Sequence, residues 1–446
     1  MTFRIDPAMK TRLSKPDTVH IISLGCSKNL VDSEFLLRQL QAGKLRFQHN
    51  AEVNEAGTVI INTCGFISDA RQESIDTILQ YVKAKKDGFI NKLFVIGCLS
   101  ERYKKELESE IPEVDKYFGV NDLERIVSDL GIDYRKELSG ERVLTTPGHY
   151  AYLKISEGCD RTCSFCAIPM IRGRHVSKPI GRTIDEARYL AEKGVKELIL
   201  IAQDLTWYGI DNYKKQMLPD LLCRLSDMEQ FNWIRLHYAY PAGFPKEVIR
   251  IMKERDNICR YLDIPLQHIN NKVLSHMRRN YNKEQTLELI DFFRKEIPGI
   301  TLRTTVLVGH PGEGEKEFEE LLCFIGDSKF ERLGAFTYSE EENTCAAKEF
   351  TDDVSEKTKK SRFDQVMKLQ RSISREINKK KAGNMIKVLI DRIEGDYFIG
   401  RTEADSPEVD NEVLIEKSCG KLIPGNFCNV RITSYDDYDL YGDVVL

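Results

Sequence analysis

Three cysteines on one short stretch give the strongest chemical signal in the sequence. Residues 158 to 166 read GCDRTCSFC, which spaces Cys159, Cys163 and Cys166 as C-x3-C-x2-C just after the strand-like run YAYLKIS. Three thiolates on one tight loop suit three corners of a cubane iron–sulfur cluster and leave one iron without a protein ligand. That iron is open to a chelating cofactor or substrate. A zinc knuckle is the blander alternative, but zinc normally takes a fourth ligand, and His175 lies nine residues past Cys166.

A second set is scattered along the chain. Cys26 ends IISLGC, Cys64 ends VIINTC and Cys98 ends LFVIGC, and each has a glycine beside it: Gly25, Gly65 and Gly97. Taken singly, each reads as a small buried hydrophobe. Taken together, three strand-like runs of one parallel sheet each deliver a cysteine to the carboxyl edge, where such sheets bind ligands. The glycines would let the backbone approach a bulky inorganic group. The remaining six cysteines, Cys223, Cys259, Cys323, Cys345, Cys419 and Cys428, have no partners at ligand spacing and read as structural.

The elements that must position these thiols follow from hydrophobic periodicity. From residue 18 to about 130, TVHIISLGC, TVIINTC and KLFVIGC alternate with the helical patterns SEFLLRQLQAG, SDARQESIDTILQYVKAKK and ERYKKELESE. Short apolar runs separated by helices predict βαβ units and a parallel sheet. From about residue 149, YAYLKIS, ELILIAQD, WIRLHYA, YLDIPLQ, LRTTVLVG and RLGAFTY alternate with further helical patterns. This predicts a partial, open (β/α)6 barrel of the TIM type. A charged, helix-periodic connector spans 353 to 383, and short strands with turns after Asn384 predict a small all-β barrel. The fold class is therefore α/β with a terminal β-barrel.

Composition limits the setting. The chain has 446 residues with 41% apolar and 30% charged, and its net charge of −4 offers no basic excess for nucleic acid. The opening MTFRIDPAMKTRLSKPDTVH lacks a signal-peptide core, and no run reaches the ~18 apolar residues a membrane helix needs. A cytoplasmic location is expected, with no membrane partner. There, clustered members of the twelve cysteines read as metal ligands or nucleophiles rather than as disulfides.

The C-x3-C-x2-C loop, with Phe165 before its last cysteine, resembles the radical S-adenosylmethionine superfamily. Two cysteine trios plus a terminal β-barrel narrow the resemblance to the methylthiotransferases of that superfamily. The stretches KISEGCDRTCSFCAIP, RLHYAYP, YLDIPLQH, GRTEADSPEVD and DYDLYGD look like the RimO-type branch, which modifies an aspartate of small-subunit ribosomal protein twelve. The resemblance covers nearly the whole chain from about residue 17. It implies a cluster domain at 17–134, a radical barrel at 145–376 with its helical connector from 353, and an OB-like TRAM barrel at 379–446.

The resemblance further implies two 4Fe–4S clusters: a sulfur-handling one on Cys26, Cys64 and Cys98, and one on Cys159, Cys163 and Cys166 that binds S-adenosylmethionine. It also implies methylthiolation of an aspartate β-carbon, with an electron donor such as a flavodoxin. The rival MiaB-like branch acts on adenosine in transfer RNA, and a non-catalytic two-cluster electron carrier is a more distant alternative. An electron carrier has no use for open irons. Charge separates the two branches: from Asn384 onward, six basic residues face thirteen acidic ones. An RNA-gripping barrel needs a basic face, so nucleic acid is not expected as the main partner and a basic ribosomal protein fits better.

Other stretches carry weaker signals. Gln203 and Asp204 after ELILIA, Gln267 and His268 after YLDIPL, and Arg303 in LRTTVLVG are placed for the barrel mouth, either as cofactor or substrate contacts or as satisfied barrel polars. GHPGEGEK at 309 to 316 lacks the Gly-Lys-Ser/Thr of a phosphate loop and reads as the turn after the fifth barrel strand. The basic run holding Arg172, Arg174, Lys178 and Arg182 reads either as an attractor for an acidic side chain or as a solvated loop.

Overall fold

The computed structural model describes residues 18–51 and 56–445. The amino-terminal stretch before Thr18, Leu446 and the side chain of Cys419, each touched by an expectation above, lie outside the described residues. Contacts divide the chain into two compact units, one ending at Val143 and the other beginning at Leu144.

The first unit is built on a parallel sheet. Its strands are β1 (Thr18–Ser23), β2 (Arg46–His49), β3 (Ala56–Thr63), β4 (Ile90–Gly97) and β5 (Lys116–Tyr117), in the order β2-β1-β3-β4-β5. Helices α1 (Ser27–Ala42), α2 (Ser68–Lys86) and α3 (Cys98–Glu110) follow β1, β3 and β4. The apolar runs show no alternation because both faces are covered. Val59, Ile61, Leu93 and Val95 pack with Ile78 and Tyr81 on one side, while Ile60, Phe94 and Ile96 pack with Leu36, Leu37 and Leu40 on the other.

Two features differ from the sequence reading. The edge strands β2 and β5 are too short, or too evenly half-exposed, to carry a pattern. Helix α1 begins at Ser27, ahead of the predicted Ser33, because polar Asn29 and Ser33, which look like turn residues, are buried inside it.

The second unit opens with β6 (Tyr150–Lys154), followed by the short antiparallel pair β7 (Ser156–Glu157) and β8 (Val176–Ser177). Next come β9 (Glu197–Ile201), β10 (Trp233–Leu236), β11 (Ile258–Asp263), β12 (Thr301–Val308) and β13 (Arg332–Thr337). Six parallel strands form one sheet in the order β13-β12-β11-β10-β9-β6, with β13 and β6 as its edges. Leu153, Leu198, Leu200, Ile234, Leu236 and Leu302 lie in the apolar core shared with the surrounding helices. The alternate positions, among them Tyr150, Glu197, Arg235, Tyr261 and Arg303, point to the opposite face.

The connector is the helix Glu356–Lys381, capped by the Ser355 side chain and anchored to the half-barrel core through Val366 and Ile373. Strands β14 (Met385–Glu394), β15 (Tyr397–Arg401), β16 (Val413–Glu416), β17 (Phe427–Tyr435) and β18 (Leu440–Val445) then close a barrel around Val388, Ile390, Val413, Ile415 and Val430.

The loop between β15 and β16 does something the sequence does not foretell. Together with Arg401 at the end of β15, it lays polar groups against all six half-barrel strands. Tyr150 donates to Glu408 at 3.2 Å, Arg401 to Glu197 at 2.7 Å, and Arg235 to the Glu403 carbonyl at 2.6 Å. Tyr261 donates to Asp410 at 2.7 Å, Arg303 pairs with Asp410 at 3.3 Å, and Arg332 donates to Asp405 through Nε at 3.0 Å. The C-terminal barrel is thereby tied into the concave face of the half-barrel.

Candidate metal centres

The loop after β6 and β7 is fixed by its backbone. Gly158 has φ +73°, and a Cβ there would meet the Arg174 carbonyl oxygen at 2.1 Å, so only glycine fits. The Cys159 amide donates to the Gly173 carbonyl at 3.1 Å and that of Ser164 to the Met277 carbonyl at 3.0 Å, while the Ser164 carbonyl accepts from Ala346 at 2.8 Å. Phe165 packs with Val273, Met277, Leu307 and Tyr338 and meets the His310 ring edge-on at 6.4 Å, which anchors the loop on its apolar side.

Donors are aimed at the sulfurs. The Arg161 amide reaches Cys159 Sγ at 3.4 Å, and Arg279 Nη1 reaches Cys163 Sγ at 3.2 Å. Burial pushes the Cys159 thiol up to about 11, with Asp204 and Cys163 adding to the effect, and burial also raises Cys166. Thiols so disfavoured as anions become thiolates only when a cation compensates them. Three cysteines with N–H groups directed at two sulfurs fit an iron–sulfur cluster. Among the described residues no three Cys, His, Asp or Glu side chains close around one ion, an arrangement a cubane does not need because its thiolates bind different irons.

The residues expected at the mouth divide. Gln203 donates to Glu157 at 2.7 Å, and Asp204 accepts from Arg161 Nε at 2.8 Å and from the Thr206 amide at 2.8 Å. Gln267 adopts φ +71° and bridges by backbone to β12, and buried His268 accepts from the Asn270 amide at 3.0 Å. Arg303 is paired with Asp263 at 3.1 Å and with Asp410, so its charge is neutralised within the chain. In the basic run, Arg172 pairs with Glu157 at 3.0 Å and Lys178 with Glu186, whereas Arg174 and Arg182 are exposed. Of GHPGEGEK, residues 309–314 form the turn after β12, the fifth half-barrel strand, and Glu315 and Lys316 open the helix that follows.

Sequence reasoning missed Glu157, Arg161 and Arg279. Burial works to raise the Glu157 carboxyl, yet the neighbouring Lys154 and Arg172 charges hold it at about 2. Arg161 and Arg279 both stack on Tyr240, at 4.0 and 4.4 Å from the ring centre. Only Glu157 and Arg161 carried a signal, as neighbours of the cysteine motif.

In the first unit, the ends of β1, β3 and β4 come together. A Cβ on Gly25 would stand 3.0 Å from Cys64 Sγ, and one on Gly65 would stand 2.9 Å from the Cys98 carbonyl carbon. Cys26 is the N-cap residue of α1 and Cys98 is the first residue of α3, so both cysteines lie at helix N-termini. Asn29, fully buried, ties the three strand ends together. Its Nδ2 donates to the carbonyls of Leu24 and Thr63, each at 3.0 Å, and its Oδ1 accepts from the Cys98 thiol at 3.6 Å. As an asparagine inside an amphipathic pattern it gave no sequence signal.

An open six-stranded parallel half-barrel with this cysteine loop after its first strand has the form of a radical S-adenosylmethionine enzyme, and residues 153–325 match the Radical SAM superfamily. Residues 18–119 match a family described as "Uncharacterized protein family UPF0004", and residues 382–445 match the TRAM domain. The fold is similar to that of the radical S-adenosylmethionine methyltransferase TsrM from Kitasatospora setae, with TM-score 0.52 and 13% identity over 86% of this chain and 77% of that one. It is also similar to the cobalamin-dependent S-adenosylmethionine radical enzyme OxsB, with TM-score 0.51 and 12% identity over 80% of this chain and 56% of that one.

The chain belongs to the family of ribosomal protein uS12 methylthiotransferases RimO. It is 56% identical to the protein of that name from Bacteroides fragilis, over 97% of this chain and 100% of the relative. For the Cytophaga hutchinsonii protein of the same name the identity is 53%, over 98% and 100%.

Proposed function

We propose that the chain methylthiolates the β-carbon of an aspartate of ribosomal protein uS12, with Cys159, Cys163 and Cys166 holding the radical-forming 4Fe–4S cluster and Cys26, Cys64 and Cys98 holding a second. The observation that carries this reading is the pair of cysteine trios, each gathered at the carboxyl edge of a parallel sheet, in a chain of this family. When bound at these cysteines, the clusters and S-adenosylmethionine would supply the radical chemistry that removes hydrogen from the target carbon and the methylthio group that replaces it.

The chain's own residues bind and orient. Phe165 and its apolar neighbours hold the cysteine loop and keep water from its back. Glu157 stays ionised and fixes Gln203 and Arg172 beside that loop. Burial holds His310 neutral, with its pKa lowered to about 4, so it does not act as a charged acid behind the loop. A one-electron donor of flavodoxin type is the proposed reductant. Among the described residues no helix is long and apolar enough to cross a membrane.

The test pairs iron content with product. Anaerobic reconstitution of the full chain should give about eight irons from two four-iron clusters. Cys64→Ala should lose about half of them and all methylthio transfer to uS12 while still cleaving S-adenosylmethionine; Cys163→Ala should abolish cleavage. Four irons in the unaltered chain, or a methylthio group found on transfer RNA instead of uS12, would refute the reading.

A further inference from the structure

Seven arginines are buried among the described residues, and six of them meet a carboxylate. These are Arg142 with Glu34, Arg172 with Glu157, Arg235 with Glu197, Arg332 with Asp405, Arg362 with Glu313, and Arg401 with Glu197 and Asp391. Arg279, only 5% exposed, is the exception. Its Nε donates to the Tyr281 hydroxyl at 3.0 Å, its Nη2 to the Pro265 carbonyl at 2.5 Å and its Nη1 to Cys163 Sγ at 3.2 Å. The rings of Tyr240 and Tyr281 flank it, 4.4 and 5.4 Å from the guanidinium carbon. The nearby Arg161 is neutralised by Asp204 at 2.8 Å, which leaves the charge of Arg279 uncompensated at this loop.

A buried guanidinium without a counter-ion is strongly unfavourable. None of the hydrogen-bond and ring partners of Arg279 is a carboxylate: they are Tyr281, Tyr240, the Pro265 carbonyl and the Cys163 sulfur. A cluster held by three thiolates carries net negative charge, and one-electron reduction adds one more. Charge and N–H donors at the ligating sulfurs are the levers by which a protein sets cluster potential.

We infer that Arg279 is the positioning residue that supplies the counter-charge to the cluster on Cys159, Cys163 and Cys166, through its N–H donor to Cys163 Sγ, and favours the reduced state. The inference rests on the proposed reading of those three cysteines as ligands. The step it governs moves one electron from a low-potential donor, dithionite in the assay, onto the cluster, and breaks no bond.

The test uses the full chain with Cys26, Cys64 and Cys98 changed to alanine, so that a single cluster remains, in a redox titration followed by electron paramagnetic resonance. At the potential that half-reduces this parent, Arg279→Gln should lower the ratio of reduced to oxidised cluster at least tenfold, a downward shift of about 59 mV or more for a one-electron couple. Arg279→Lys, which keeps the charge, should recover most of that shift. A midpoint unchanged in Arg279→Gln overturns the inference while leaving the cysteine assignment standing. A parent that binds no cluster overturns both. Should Arg279→Gln fail to hold the cluster, Arg279→Lys decides: retention near the parent potential supports the charge role, and loss refutes it.

Discussion

Asn29→Ala removes a side chain that touches the ends of three strands in the first unit. The substitution leaves the carbonyls of Leu24 and Thr63 without the 3.0 Å donors they now have, and takes the acceptor away from the Cys98 thiol. Asn29 is fully buried, so water does not readily replace it. A buried group left unpaired costs about 1–3 kcal/mol. The buried Thr63 carbonyl, with a smaller share from the half-buried Leu24 carbonyl, gives about 3 kcal/mol, or roughly two decades in the opening equilibrium at about 1.4 kcal/mol per decade.

The assay is hydrogen exchange on the cluster-free full chain. The slowest amides between residues 18 and 143 should exchange about 100-fold faster, since these report the opening of that unit, while peptides from 144 to 445 stay unchanged. Reconstitution should then lose about four of about eight irons and keep S-adenosylmethionine cleavage. Asn29→Asp keeps an acceptor but loses both N–H donors, so it should resemble alanine. Exchange within threefold of the unaltered protein, or an acceleration spread equally over both units, would refute the argument.

Two further outcomes follow from the buried charges. Burial lowers the His310 pKa from 6.5 to about 4, so between those values the unfolded chain binds more protons and stability falls as pH drops through the window. The loss is at most about 3 kcal/mol; urea midpoints measured from pH 7 to pH 4 should fall in the unaltered protein and flatten in His310→Gln. Arg401→Met strips Asp391 of its guanidinium and leaves Glu197 with Arg235 alone, at an expected cost of about 3–5 kcal/mol. A shift below about 1 kcal/mol in chemical denaturation would mean that this buried network adds little to holding the C-terminal barrel on the half-barrel.

Charge counting along the chain lost information that burial restores. The acidic excess after Asn384 was read as a face for a basic partner, yet Asp391, Asp405 and Asp410 turn inward and neutralise Arg401, Arg332 and Arg303. Arg303 was placed at the mouth for the same reason: position on a strand was visible, but the carboxylate opposite it was not. Helix α1 was started too late because a buried asparagine and a turn asparagine are the same letter.

What the sequence determined by itself is whatever depends on neighbours a few residues apart. The strands that lead up to Cys26, Cys64 and Cys98, the helix Ser68–Lys86 and the spacing of Cys159, Cys163 and Cys166 follow from local periodicity and from chain geometry. What only the tertiary structure decided are pairings across long separations: Arg279 reaches Cys163 over 116 residues, and Arg303 reaches Asp410 over 107. Hydrophobic pattern specifies which face of an element is buried and leaves open which partner it meets. The partner of a buried charge is fixed only when packing brings the two together and excludes the water that would otherwise have served.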